Sequence, residues 1–112
     1  MKLITALIQP EKFQEIHAEL EAFGVSGMTV TEASGYGKQR GHVEVYRGQE
    51  FTVSLLPKVR LEIVTTEQRA QDIVEIIIAA ANTGSPGDGK IWISTVDEVI
   101  RIRTGERGSA AL

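Results

Sequence analysis

The chain has 112 residues, 42% hydrophobic and 24% charged, with a formal net charge of -3 and no cysteine. That length allows one domain, whose core buries roughly two-thirds of the unfolded chain's surface, and it leaves no room for a second. The acidic balance argues against general nucleic-acid binding, and the lack of cysteine excludes disulfides, thiolate nucleophiles and zinc held by cysteine clusters.

The opening MKLITALIQP carries an apolar run too short for a signal peptide, and no segment approaches the ~20 apolar residues that span a bilayer. A cytoplasmic protein is expected, with no direct membrane insertion and with reversible membrane association only through a partner. Lys2 to Ile8 reads as a strand ended by Gln9-Pro10. Glu11 to Phe23 reads as a helix: Phe13, Ile16, Leu20 and Phe23 recur at helical spacing, Pro10 and Glu11 mark its start, and Gly24 follows its end. Met28 to Ala33 reads as a second strand running into Gly35-Tyr36-Gly37.

Gly37 to Lys58, GKQRGHVEVYRGQEFTVSLLPK, has two readings. Alternating Val43, Val45, Phe51, Val53 and Leu55 fit a hairpin turning at Arg47-Gly48-Gln49, whereas its glycines and basic residues fit a mobile functional arm. Lys58 to Thr66 alternates Val59, Leu61 and Ile63 against Arg60, Glu62 and Val64, as a strand does. Glu67 to Asn82 places Ile73, Ile76, Ile77, Ala80 and Ala81 on one helical face, Lys90 to Ser94 is a short strand, and the tail from Val96 to Arg103 fits either a strand or a short helix.

The resulting order is that of an α+β, ferredoxin-like βαββαβ sandwich, with a long mobile loop between the second and third strands. Two helices cover one sheet face, yet the first strand is apolar on both sides, with Leu3 and Leu7 opposite Ile4, Ala6 and Ile8. An uncovered apolar face predicts a homo-oligomer.

Thr83 to Trp92, TGSPGDGKIW, formally matches the start of a Walker A loop and then departs from it. Ile91 stands where Ser or Thr would hold Mg²⁺, and a strand rather than a helix follows. Glycines 84, 87 and 89 still let amides approach an anion, Lys90 adds a fixed charge, and Arg101 and Arg103 would point the same way if the tail is a strand. The same residues also fit a tight turn with a solvated lysine and two surface arginines, and spacing alone leaves both readings open.

Thr83, Gly87-Asp88-Gly89-Lys90-Ile91-Trp92-Ile93 and Val99-Ile100-Arg101-Ile102-Arg103-Thr104-Gly105-Glu106 together resemble the C-terminal signature of the PII nitrogen-regulatory signal-transduction proteins. The resemblance runs the whole chain, through MKLITALIQPEKF, Gly27-Met28-Thr29-Val30, Gly35-Tyr36-Gly37, Gln39, Gly41-His42, Tyr46-Arg47-Gly48 and Pro57-Lys58-Val59. It implies a single PII-like domain over 1–112, with a T-loop at about 37–58, a B-loop at about 82–90 and a C-terminal segment at about 96–112, assembled as a homotrimer with nucleotide sites between neighbours. Gly87, Asp88, Gly89 and Lys90 would hold the phosphates of ATP or ADP, with Arg101 and Arg103 reaching in from the next subunit. Leu7, Met28, Thr29, Gly35, Gly37, Lys38, Glu62 and Val64 would line the base and ribose.

The resemblance further implies that Gln39 ligates the Mg²⁺ carried by ATP, and that 2-oxoglutarate completes the metal's shell beside Gly37 and Gly41 while pairing with Lys58. Effectors gripping both ends of the arm would switch its conformation and so control an ammonium channel, another membrane transporter or an enzyme of nitrogen metabolism. Arg47 and Tyr46 would make the partner contact, Arg47 by plugging a pore. Phe51 replaces the tyrosine that some members modify and Gln49 replaces a serine, so no covalent modification is expected. Gln9 stands where lysine is common, which removes a charge near the expected oxoglutarate site, and Asn82, Ser85 and Pro86 replace commoner residues.

No Ser-His-Asp set or carboxylate pair nominates a catalytic residue; His17, His42 and Glu44 make none, and no enzyme is expected. The alternatives are a divergent member that reads adenine nucleotides only and regulates another transporter, or a small enzyme using ATP.

Overall fold

The computed structural model describes residues 1–36, 42–46, 49–53 and 55–112, with the backbone alone for 42–46 and 49–53. Strand β1, Lys2–Ile8, lies inside a four-stranded antiparallel sheet. Its β-branched and apolar residues suit a strand with neighbours on both sides. Helix α1 spans Phe13–Phe23, β2 Thr29–Gly35, β3 His42–Tyr46, β4 Gln49–Val53, β5 Leu56–Thr65, α2 Glu67–Ala81 and β6 Gly89–Thr95. The sheet order is β2-β5-β1-β6, and β3 and β4 form a separate two-stranded pair. This is the expected α+β, ferredoxin-like arrangement.

Boundaries move for local reasons. The helix expected from Glu11 begins as a 3-10 turn at Pro10–Lys12, closed by the Lys12 amide donating to the Gln9 carbonyl at 3.0 Å, and α-helical bonding starts at Phe13. Proline supplies no amide, so a tightened first turn satisfies what remains. The other end closes as expected for a glycine stop. Gly24 takes φ 104°, and the Val25 amide reaches back to the Leu20 carbonyl at 2.9 Å, the bond of a Schellman motif. Arg69 of α2 caps the same end, donating to the Phe23 carbonyl at 3.0 Å with its guanidinium 4.7 Å from the Phe23 ring centre.

Cross-strand register sorts the side chains into two faces. Ile4 pairs with Ile63 and Ile93, Ala6 with Leu61 and Ile91, and Ile8 with Val59 and Gly89. Directly opposed residues share a face. The helices cover this one, where Ile4, Ala6, Ile8, Leu61 and Ile63 join Ile16 and Leu20 of α1 and Ala70, Ile73, Ile77, Ala80 and Ala81 of α2 in one buried cluster. The other face carries the rows Leu3–Val64–Ser94, Thr5–Glu62–Trp92 and Leu7–Arg60–Lys90. Thr5 is buried there among its neighbours, whereas Val64 and Trp92 remain about 40% exposed.

In the segment read two ways, the backbone pairs His42–Tyr46 with Gln49–Val53, with Tyr46 opposite Gln49. The hairpin reading therefore holds for the pairing. The turn positions 47 and 48 lie outside the described residues.

The tail is neither the strand nor the helix considered from sequence. Ile100 and Arg107 form an isolated bridge, and a 3-10 turn follows at Gly108–Ala111. The chain reverses between them because the Arg101 amide donates to the Glu106 carbonyl at 2.9 Å and the Gly105 amide donates to the Arg101 carbonyl at 2.7 Å.

Candidate functional site

The connection from α2 to β6 is bonded mainly to itself. Asn82 leaves the helix with extended ψ, and its side-chain oxygen accepts from the Gly84 amide at 2.8 Å. The Asp88 carboxylate reaches across the loop and accepts from the amides of Thr83 at 2.7 Å and Gly84 at 3.0 Å, and from the Thr83 hydroxyl. These bonds to the hydroxyl and amides of Thr83, assisted by the amides of Gly84 and Ser85, hold the Asp88 carboxyl below its ordinary value of 3.8, since each favours the charged form.

Glycine is obligatory where the loop joins the sheet. Gly89 has φ 112°, and a Cβ there would fall 1.8 Å from the Leu7 carbonyl oxygen. The loop is thereby seated on the end of β1, and Lys90, the next residue, enters β6 beside Leu7. Two further contacts tie it down: Lys58 donates from Nζ to the Gly87 carbonyl at 2.8 Å, and Gln9 makes a longer 3.5 Å contact from Nε2 to Asp88.

The remaining expected site residues divide by position. Leu7, Glu62 and Val64 lie on the face away from the helices, while Met28 and Thr29 stand at the start of β2 and Gly35 at its end. Thr29 is opposite Glu62 across the β2–β5 pair. β2 and β6 are opposite edges of the sheet, with β5 and β1 between them. Three strand spacings of about 4.8 Å put the two edges about 14 Å apart. Within one chain, therefore, the residues of β2 expected to line a base and the residues of β6 expected to hold phosphate stand on different edges.

Arg101 and Arg103 do not share a strand face. Arg101 is held by Glu106 at 3.0 Å and by the main-chain carbonyl of Leu112 at 2.9 Å, whereas Arg103 is exposed with no side-chain partner among the described residues. Gly37, Lys38, Gln39, Gly41 and Arg47 lie outside the described residues, as do the side chains of Tyr46, Gln49 and Phe51. No cluster of three or more metal-ligating acidic or histidine side chains occurs among the described residues. Among them, too, no helix is long and apolar enough to cross a membrane.

Sequence reasoning missed Asn82 and Thr83 as loop builders and Glu106 as the partner of Arg101. A short polar side chain just past a helix end with an aspartate a few residues on is the usual mark of such a turn, and it was legible in Asn82-Thr83 and Asp88. Gly84, Gly87 and Gly89 take left-handed φ of 82°, 99° and 112°, and Lys90 follows directly beside Leu7; glycines and a lysine in such a loop are residue types that suit an anion.

Comparison with known proteins identifies the family. The family model for Nitrogen regulatory protein P-II matches residues 1–106. The chain is 52% identical to the Nitrogen regulatory protein P-II of Rhizobium meliloti over 112 residues, covering both chains completely. It is 53% identical to the Nitrogen regulatory protein P-II 2 of Methanothermobacter thermautotrophicus over the whole of this chain and 97% of that one. With the Nitrogen regulatory protein GlnK of Escherichia coli K12 the identity is 45%, again over the full length of both. The chain belongs to the P-II nitrogen regulatory protein family.

Proposed function

We propose that the protein is a non-enzymatic, homotrimeric regulator of nitrogen metabolism that binds ATP and ADP competitively at its B-loop, and Mg-ATP together with 2-oxoglutarate. The observation that carries this reading is the seated loop of Gly87, Asp88, Gly89 and Lys90, tied through Lys58 to β5, the strand that leads out of the 37–54 segment. Charge-assisted hydrogen bonds to phosphate contribute about 1.5 to 3 kcal/mol each, so four or five suffice for micromolar affinity, about 8 kcal/mol net.

Assembly follows from the two edges. Met28, Thr29 and Gly35 stand on the β2 edge and Lys90 on the β6 edge, so a complete base-to-phosphate site forms where the β2 edge of one subunit meets the β6 edge of the next. The face bearing Leu3, Leu7, Val64 and Trp92 supplies apolar area for that association. Among the described residues, the buried side-chain polar atoms without a hydrogen bond are Thr5 Oγ1 and Arg60 Nε, the latter ion-paired with Glu62 at 3.5 Å, and both belong to residues of the same face.

Bound nucleotide supplies phosphate charge at the loop and, with Mg²⁺, a metal beside Gln39. Ordering an arm of some twenty residues costs ~1 kcal/mol or more per residue, so effectors that grip Gln39 at one end and Lys58 at the other select among its conformations. A coupling of about 1 to 3 kcal/mol is enough for a switch. The arm, through Arg47 and Tyr46, would then engage an ammonium channel, another transporter or a nitrogen-metabolism enzyme in the cytoplasm.

Calorimetry with ATP and ADP, with and without Mg²⁺ and 2-oxoglutarate, tests the reading; wild-type protein that binds neither nucleotide would overturn it. A second reading has its own observation. Gln9 places a neutral amide near Asp88 and the loop, and an ATP affinity unchanged by 2-oxoglutarate would favour a sensor of nucleotides only.

A further inference from the structure

We infer that Asp88 is a positioning residue: its carboxylate is committed to the inside of the 82–89 loop and shapes the anion site without touching phosphate or metal. This deepens the nucleotide reading above and rests on it. A carboxylate has about four lone-pair positions, two on each oxygen. Here Oδ2 accepts from the amides of Thr83 and Gly84, and Oδ1 accepts from the Thr83 hydroxyl and the longer Gln9 contact. Three positions are thus taken by hydrogen bonds within the loop, and the fourth faces the Gln9 amide at 3.5 Å.

The same arrangement explains how an acidic residue can stand within a phosphate loop. A carboxylate facing a nucleotide's phosphates would repel them, whereas one turned onto the loop's own donors is held away from that position and fixes the loop backbone. Thr83 serves twice, because its hydroxyl also accepts from the Ser85 amide at 3.3 Å. Lys58 holds the neighbouring Gly87 carbonyl and Leu7 abuts Gly89, so the loop is pinned on both sides of Asp88. Gln9 carries the connection to the end of β1.

The test compares wild type with Asp88→Asn, Asp88→Ala, Thr83→Val and the Asp88→Ala/Thr83→Val double variant. Two measurements are made: amide hydrogen exchange at Thr83, Gly84 and Ser85 in nucleotide-free protein, and titration with ADP and with Mg-ATP. Asn keeps a carbonyl acceptor and loses the charge. It is expected to retain exchange protection and to bind both nucleotides within about threefold of wild type, whereas Asp88→Ala loses protection and weakens both by about tenfold or more. The Ala and Val effects are expected to be non-additive, because the two side chains form one network.

Three results would overturn the inference: tighter nucleotide binding by Asp88→Ala, unchanged exchange in that variant, or an Asn variant that loses Mg-ATP as severely as Ala while keeping ADP, which would make Asp88 a metal ligand. Wild-type protein that binds no nucleotide would remove the nucleotide reading, while the exchange comparison would still decide whether Asp88 orders the loop.

Discussion

On the sheet face bearing Ile4, Ala6 and Ile8, the central strand is sealed by two helices, and its neighbours Leu61 and Ile63 are buried with it. On the face bearing Leu3 and Leu7, the helices are absent, Val64 and Trp92 stay partly exposed, and Arg60, Glu62 and Lys90 are interleaved with apolar residues. The first face is a completed core. The second is chemically mixed in the way an interface or ligand surface is. Stability and function should therefore separate by face along the same strands, alternating residue by residue.

The strongest way to break that contrast is to truncate the sealed face. Leu61→Ala should lower unfolding stability by about 2 to 5 kcal/mol, the usual range for a fully buried leucine, read from denaturant midpoints. If the open face carries function, Lys90→Ala should instead leave the midpoint unchanged and weaken ATP binding by about 1.5 to 3 kcal/mol in calorimetry. A matching loss of stability would mean that the two faces are not separable there.

Val64→Glu tests assembly, since it puts a charge on the open face opposite Leu3. Sedimentation should show smaller species at micromolar concentration with the circular dichroism spectrum retained; an unchanged mass would show that this part of the face is not an interface.

The smallest expected effect concerns acid. Because the folded-state carboxyl of Asp88 lies below its ordinary 3.8, it contributes stability that is fully present above that value and is lost as the pH falls through the lower folded value. Asp88→Asn should flatten this acid limb in thermal unfolding followed downward from pH 6. Because the group is solvent-accessible, the change should be slight.

Much of the sealed face was legible beforehand. Ile16 and Leu20, or Ile73 and Ile77, announce a buried helical stripe by spacing, and Val59, Leu61 and Ile63 announce a strand by alternation. The candidate loop was legible in composition but not in geometry. Its glycines and Lys90 fit the anion loop expected from the sequence, yet nothing in the spacing says that Asp88 turns inward onto Thr83 and Gly84, or that Lys58, 29 residues earlier, holds the Gly87 carbonyl. The tail was misjudged for the opposite reason. Val96 to Ile102 alternates like a strand, but Glu106 reaches back to Arg101 and closes a local loop with main-chain and side-chain bonds before any strand partner is found.

The sequence by itself determined the types of the core strands and helices, the apolar stripe of each helix and the family, because periodicity, capping residues and colinear motifs are local properties that survive without coordinates. Only the tertiary structure decided which face of β1 the helices seal, that Met28, Thr29 and Lys90 stand on opposite edges of one sheet, and that Gly89 must be glycine because the Leu7 carbonyl lies where a Cβ would go. Those facts depend on strand order and on approaches between distant segments. A one-dimensional pattern carries neither, since the same alternation fits any order of strands in the sheet.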